Sequence, residues 1–198
     1  MQSNLSIKAK NYAKKLMIDN NINWYIYHNR DHVLDVYQRA NYLSEKEWIN
    51  DDLREMLFIW VYFHDVAYNK DWKNHEFLSS KIAEDFLSKE NYPLDRIDMV
   101  KNIILSTTLG QEPYNILEEI IKDSDVDNLS RLDFFEKSIL VKKEMEFLLW
   151  EEIKDLDWYK NNYALLRKLK LYTNTQKDER TKQLEINKNK LYSYIKNK

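Results

Sequence analysis

The stretch of this sequence most suited to chemistry is MLFIWVYFHDVAYN, residues 56–69. Eight apolar residues, 56–63, run without a break and end at His64 and Asp65. Burying an imidazole or a carboxylate without a partner is costly, so both groups must be hydrogen-bonded, ion-paired or bound to a metal. The rest of the sequence therefore has to supply their partner.

The histidines of this chain are clustered. All four of them, His28, His32, His64 and His75, lie in one 48-residue window. His28 and His32 are four residues apart, so on one helix they would face roughly the same side. A hydrolytic metal site needs imidazoles and carboxylates that converge on one ion and leave a position open for water. His32, His64 and Asp65 would supply three such ligands.

A fourth ligand would come from the acidic stretch IKDSDVDNLS, in which Asp123, Asp125 and Asp127 are the candidates. Three acids in five residues repel one another unless a cation is close. From spacing alone, a core histidine bonded to a backbone carbonyl explains His64 equally well, and both interpretations stay open.

The composition limits the fold and the kind of site. The chain has 198 residues, 43% of them apolar, and no cysteine, so any metal must sit on His, Asp or Glu. One glycine and two prolines leave no material for hairpins or glycine-rich phosphate loops, so we expect an all-α fold. No apolar run approaches the ~20 residues of a membrane span, and the start MQSNLSIKAKNYAKKL lacks an apolar core. We therefore expect a cytoplasmic protein without a membrane partner.

The charge is unevenly spread. Residues 112–157 carry 14 acids against 6 bases, whereas residues 181–198 carry 5 lysines against one glutamate. The acidic middle argues against a nucleic-acid groove, and the lysine-rich end is interpreted as a solvated helix face. Nucleic acid is therefore not an expected partner.

Periodicity and capping signals predict a bundle of about eight or nine helices around a central buried helix that includes 56–63. We place the helices near 5–20, 29–43, 52–64, 74–90, 93–108, 113–122, 131–152, 157–171 and 178–196. Asn29 is predicted to cap the helix that holds His32. Residues 1–198 are expected to form a single domain, with 131–198 as a C-terminal helical extension packed on the core.

Three segments in order, YHNRDHVLDV, WVYFHDVAYN and IKDSDVDNL, resemble the HD-domain superfamily of metal-dependent phosphohydrolases. The order H, HD, D of that family falls on His32, His64 with Asp65, and Asp125. Asp125 is preferred to its neighbours because the family's last aspartate typically precedes an aliphatic residue, as Asp125 precedes Val126. The YHN before the first histidine resembles a subgroup of predicted HD phosphohydrolases, in which NHEFLSS would match through Glu76 and Ser79.

The resemblance implies an HD-type helical bundle, one divalent metal ion (Mn, Fe, Co, Ni, Zn or Mg) and four ligands, His32, His64, Asp65 and Asp125. Asp65 is the expected catalytic residue, since its second oxygen can take a proton from water. His28, Arg30 and Glu76 are the expected substrate-binding residues. His75 is interpreted as a polar surface residue.

Departures from the family pattern bear on the expected substrate and on the expected number of metal ions. The HD pair is followed by Val66, Ala67, Tyr68 and Asn69 rather than by a Glu-Asp pair, so an alarmone hydrolase is not expected. Members with two metals carry extra histidines before the last aspartate. Here Leu109 and Gly110 stand where relatives often have histidine, which favours one metal.

The expected function is hydrolysis of a phosphate ester or anhydride in a nucleotide or another small phosphorylated metabolite. Phosphomonoesterase, phosphodiesterase and pyrophosphohydrolase activity are not separated by the sequence. The alternative is a non-catalytic HD-fold module that senses a nucleotide or binds a protein, and a third reading is a helical interaction protein with structural histidines. Assembly into a homo-oligomer is left open.

Overall fold

The computed structural model describes residues 3–19, 25–108 and 110–197 and contains no strand within them. These residues form nine α-helices and one short 3₁₀ helix, Asp127–Ser130. The α-helices are α1 Asn4–Asp19, α2 Arg30–Lys46, α3 Asp51–Phe63, α4 His75–Lys89, α5 Leu94–Ser106, α6 Ile116–Asp125, α7 Phe134–Leu149, α8 Asp155–Lys168 and α9 Asn174–Lys196. The predicted all-α bundle is confirmed.

Asparagine side chains set the start of several helices. Asn29 begins α2, because its side-chain oxygen accepts the backbone N–H groups of Asp31 and His32. Asn50 does the same for α3, and Asn115 for α6. The cap at Asn115 explains why α6 begins three residues later than the predicted position 113, since it satisfies the free N–H groups of the first turn.

The apolar helix α3 lies at the centre, as predicted, and every residue of 56–63 is buried. Helices α1, α2, α4, α5 and α6 pack around it. Trp60 and Phe63 are among the largest fully buried side chains. Because α3 is apolar on all sides, it needs neighbours on all sides. It ends at Phe63, so His64 and Asp65 emerge at the edge of this core.

Helices α7, α8 and α9 have an apolar cluster of their own, formed by Phe134, Leu166, Leu184 and Leu191. Polar contacts join these helices to the main core. On α2, Arg39 donates from Nε to Gln176 Oε1 at 2.8 Å and from Nη1 to Glu179 Oε2 at 2.8 Å, both on α9. None of the described helices has the length and apolar character needed to cross a membrane.

Candidate metal-binding site

The candidate site lies where the start of α2 meets the end of α3. His32 is in the first turn of α2, directly after the Asn29 cap. His64 follows the last residue of α3, and its ring stacks on Trp60, one turn earlier, with 5.0 Å between ring centroids. Both imidazoles are buried, at 5% and 2% exposure. The local folding of two helix ends therefore brings together residues that are 32 positions apart.

Three ligand atoms, one each from His32, His64 and Asp125, lie within 4.8 Å of one another. The Nε2 atoms of the two histidines are 3.4 Å apart. Asp125, the last residue of α6, places Oδ1 3.4 Å from His32 Nε2 and 3.7 Å from His64 Nε2. Its side chain is 25% exposed, so the cluster opens to solvent on the side of α6.

Asp65 adds a second carboxylate to this cluster. Its Oδ2 lies 3.1 Å from His64 Nε2 and 3.5 Å from His32 Nε2. That oxygen is fully buried, and it makes no hydrogen bond with any residue that the structure describes. A buried carboxylate oxygen is rarely left in this state unless a cation or a shared proton compensates it.

The ring of His64 is oriented by the backbone. Its Nδ1 donates to the carbonyl of Val61 at 2.9 Å, so in the neutral ring Nε2 carries the lone pair and points at the cluster. A backbone carbonyl at the outer nitrogen is the usual way in which a protein orients a metal-binding histidine. Two imidazole nitrogens and two carboxylates that converge in this way are a set of ligands that fits a divalent cation.

The charges of this cluster are strongly coupled. Burial disfavours the imidazolium form of His64, but the nearby carboxylate of Asp65 outweighs it, and the pKa of His64 rises to about 9. Burial likewise opposes ionisation of Asp65 and Asp125, yet the histidines hold the pKa of both carboxyl groups below the ordinary value. The site therefore favours a positive charge between its two carboxylates.

The other two candidate acids have different partners. Asp123 accepts the backbone N–H groups of Tyr172 at 2.9 Å and Thr173 at 2.7 Å, and so holds the segment that leads into α9. Asp127 accepts from Arg180 Nε at 2.7 Å. Of the three acids in IKDSDVDNLS, only Asp125 is brought to the histidines.

His28 lies next to the cluster, with its ring 5.5 Å from that of His32. Its Nδ1 pairs with Glu144 Oε1 of α7. The other oxygen of Glu144 accepts the backbone N–H groups of Tyr27 at 2.8 Å and His28 at 3.0 Å. Burial lowers the pKa of His28, but the hydrogen bond to Glu144 prevails and the pKa is raised.

Sequence reasoning missed Glu144. The residue is completely buried, although the stretch KKEMEFLLW around it resembles an ordinary amphipathic helix. A single glutamate at an otherwise apolar helix position is the only local signal, and it does not name a partner that lies 116 residues earlier.

His75 differs from its prediction as a surface residue. Its side chain is only 18% exposed, and Nε2 lies 3.4 Å from Asp65 Oδ1. Its Nδ1 donates to the carbonyl of Trp72 at 2.9 Å and is 3.4 Å from Glu76 Oε2. Since α4 begins at His75, the chain between α3 and α4 turns this side chain back over Asp65. Glu76 thus reaches the cluster only through His75.

Arg30 stands apart from the cluster. It is the first residue of α2 and is exposed. Two positions along a helix correspond to a rotation of about 200°, so Arg30 and His32 face opposite sides of α2. Of the three predicted substrate-binding residues, His28 contacts the ring of His32 and Glu76 contacts His75. Arg30 is directed away from His32.

A cavity of about 500 Å³ adjoins the exposed side of Asp125. It lies between the end of α5, helix α6, and the segment 164–172, which includes the end of α8. This size is in the usual range of about 300–1,000 Å³ for small-molecule pockets. The cluster therefore has a neighbouring space in which a small ligand fits.

Comparison with known proteins gives the fold but no activity. No family model and no curated protein matches this sequence. Among solved structures, the chain is similar to a Lactobacillus plantarum protein determined as a Northeast Structural Genomics target, with a TM-score of 0.68 and 13% identity over 100% of this chain and 96% of the other. At such low identity the similarity establishes a shared fold, and function has to be argued from the side chains of the site.

Proposed function

We propose that this protein is a metal-dependent phosphohydrolase of the HD-domain type, acting on a nucleotide or another small phosphorylated metabolite. The observation that carries the proposal is the convergence of four residues that span 93 positions of the chain, His32, His64, Asp65 and Asp125. Each imidazole Nε2 lies 3.1–3.7 Å from an oxygen of each carboxylate. This is the ordered set H, HD, D of the family that the sequence resembles. A cavity at Asp125 offers room for a substrate.

The same four residues would hold one divalent ion, and their mixture of imidazole and carboxylate suits Mn, Fe, Co, Ni or Zn, with Mg as a further candidate. When bound, such an ion supplies the acidity that makes water nucleophilic near neutral pH, and it offsets negative charge on phosphoryl oxygens. A pocket that only binds a ligand has no need of this donor set, which favours an enzyme over a sensing or protein-interaction module.

Asp65 is the proposed proton acceptor. Its Oδ2 faces the two imidazoles, whereas its Oδ1 lies 3.4 Å from His75 Nε2. A proton taken from the attacking water by Asp65 can therefore be shared with His75, which the Trp72 carbonyl holds in place. Glu76 Oε2 lies 3.4 Å from the other ring nitrogen of His75, Nδ1.

His28 is the proposed proton donor to the leaving group. Its ring stacks on Tyr68 with centroids 3.9 Å apart, and Glu144 holds its Nδ1. The hydrogen bond to Glu144 raises the pKa of His28, so the ring holds a proton more firmly than a free imidazole does, as suits a general acid. Glu144 acts through His28 and is a positioning residue.

The metal part of the proposal is tested by elemental analysis of the purified protein. We expect one transition-metal ion per chain in the wild type and its loss in His64→Ala and Asp125→Asn. Asp98→Asn is the matched control, since Asp98 is an exposed aspartate on α5. Wild-type protein that takes up no ion from added Mn, or retention of the ion by both cluster variants, would contradict the metal site.

The enzymatic part is tested by phosphate release from mono-, di-, tri- and cyclic nucleotides and sugar phosphates with Mn added. We expect turnover on at least one class and a decrease of about 10²–10⁴-fold in kcat for His28→Ala, the usual contribution of an acid or base. Metal-loaded protein that binds a nucleotide but hydrolyses none of these compounds would instead support the sensing module.

A further inference from the structure

The cavity beside Asp125 is lined by the positively charged side chain of Lys122. Lys122 and Asp125 are three residues apart on α6, so their side chains share one face of the helix, and both line the cavity. Lys122 is partly buried. In the described part of the chain, no hydrogen bond or ion pair within normal distance joins its ammonium group to another residue.

The absence of a close ion pair distinguishes Lys122 from Lys170, which lines the same cavity. Lys170 is paired with Glu112 at 2.5 Å near the rim, and both residues are largely exposed. Burial lowers the pKa of Lys122, although the carboxylates of Asp125, Glu112 and Glu118 oppose this shift from a distance. None of the three makes a hydrogen bond or a close ion pair with the ammonium group. An anionic ligand would restore the missing interaction.

The opposite wall of the cavity is mainly apolar and belongs to the C-terminal helices. Leu165 of α8 and Leu169 at its end line it, and Leu165 is 37% exposed. Tyr172 follows in the segment before α9 and also lines the cavity. Its backbone is fixed by the bond from its N–H group to Asp123 Oδ1 at 2.9 Å. One side of the cavity thus suits an anion and the other an apolar or aromatic group.

We propose that this cavity recognises a phosphorylated metabolite with a terminal phosphate and an aromatic or apolar group, in which Lys122 binds the phosphate and the Leu165–Tyr172 wall binds the rest. The inference rests on the proposed phosphohydrolase function, whose substrate class it names. Asp125 lies at the phosphate end, so a phosphate held by Lys122 is next to the metal-binding cluster. Two further lysines, Lys168 and Lys170, line the cavity on the side of the C-terminal helices, and both are exposed, whereas Lys122 is partly buried beside Asp125.

The test uses two ligands that cannot be hydrolysed, phenylphosphonate and methylphosphonate. Both carry the same phosphonate group, and only the first has an aromatic ring. Binding to the full-length protein is measured by isothermal titration calorimetry, with and without Mn. We expect phenylphosphonate to bind more tightly than methylphosphonate. We expect Lys122→Gln to weaken both by about tenfold or more, the usual loss for a hydrogen bond to a charged group.

Three further variants make the result specific. Tyr172→Ala should weaken phenylphosphonate alone, because it removes part of the apolar wall. Lys122→Arg should retain most of the binding, which separates loss of charge from loss of folding. Lys160→Gln, at an exposed position of α8 outside the cavity, should bind both compounds as the wild type does.

Unchanged binding in Lys122→Gln would overturn the inference. So would a wild-type protein that hydrolyses phosphate esters but binds neither phosphonate, a result that leaves the proposed function intact. The converse result, phosphonate binding that depends on Lys122 without hydrolysis of any ester, supports the recognition site and refutes the enzyme.

Discussion

Metal binding at the candidate site should release a proton, and its apparent affinity should depend steeply on pH. His64 donates from Nδ1 to the carbonyl of Val61, and its Nε2 lies 3.1 Å from Asp65 Oδ2. With the pKa of His64 at about 9, Nε2 is protonated near neutral pH. An incoming cation has to displace this proton before it can bind the imidazole.

The size of the effect follows from the pKa. Below a pKa of about 9, each pH unit changes the fraction of deprotonated His64 about tenfold. The apparent affinity for Mn should therefore rise about 100-fold between about pH 6.5 and about pH 8.5. Competition with a chromophoric chelator of known pH dependence measures this slope. Calorimetry in two buffers with different ionisation enthalpies should give about one proton released per bound ion.

Two variants provide the comparison. His75→Gln, which changes a histidine near Asp65 but outside the three-ligand group, should keep the steep slope. Asp65→Asn removes the charge that chiefly raises the pKa of His64, so its weaker metal binding should depend less on pH. Tight binding by the wild type with no proton release and no slope over this range would refute the reasoning.

The remaining predictions concern stability and are measured by urea unfolding. Without added metal, the raised pKa of His64 should stabilise the fold fully below about pH 6.5. About 3 kcal/mol of the free energy of unfolding should be lost as the pH rises through about 9. An equal loss in His64→Gln would contradict this. Asn29→Ala should cost about 1 kcal/mol through loss of the α2 cap, and an unchanged value would argue against the cap. Glu144→Ala should cost about 2–4 kcal/mol, because two backbone N–H groups lose their acceptor, and less than 1 kcal/mol would show that water replaces it. Leu166→Ala should lower the free energy of unfolding by about 2–5 kcal/mol and leave the metal affinity unchanged. A loss of metal binding would show that the apolar cluster of the C-terminal helices supports the metal-binding site.

Much of the fold could be predicted from the sequence because the local signals agree with one another. A chain with one glycine and two prolines and with apolar residues at helical spacing has few alternatives to a helical bundle. The helix 56–63 is apolar on every face, and that property alone places it at the centre. The starts of α1 to α5 were predicted to within one residue. The start of α6 was predicted three residues too early, since the cap at Asn115 carries no signal beyond a common polar residue.

Some residues of the candidate site could also be identified from local sequence signals, and others could not. His32, His64 and Asp65 could be selected because they sit beside helix ends and a buried run. Asp125 needed the family resemblance, because three acids in five residues look alike in sequence. The helix period separates them, since residues two positions apart face opposite sides. His75 and Glu144 depend on how distant helices pack, and no local pattern contains that information.

Helix α6 connects the candidate site to the C-terminal helices, because two of its acidic residues face opposite sides of the helix. Asp123 faces the segment before α9 and accepts two of its backbone N–H groups, whereas Asp125 faces the histidines. On the other side of the site, Glu144 of α7 holds His28. The C-terminal helices thus contact the candidate site at two points that belong to different elements. Because the carboxylates of Asp123 and Glu144 are buried, detaching these helices would leave buried groups without partners. The geometry of the site therefore depends on the C-terminal helices, although none of its four proposed metal ligands belongs to them.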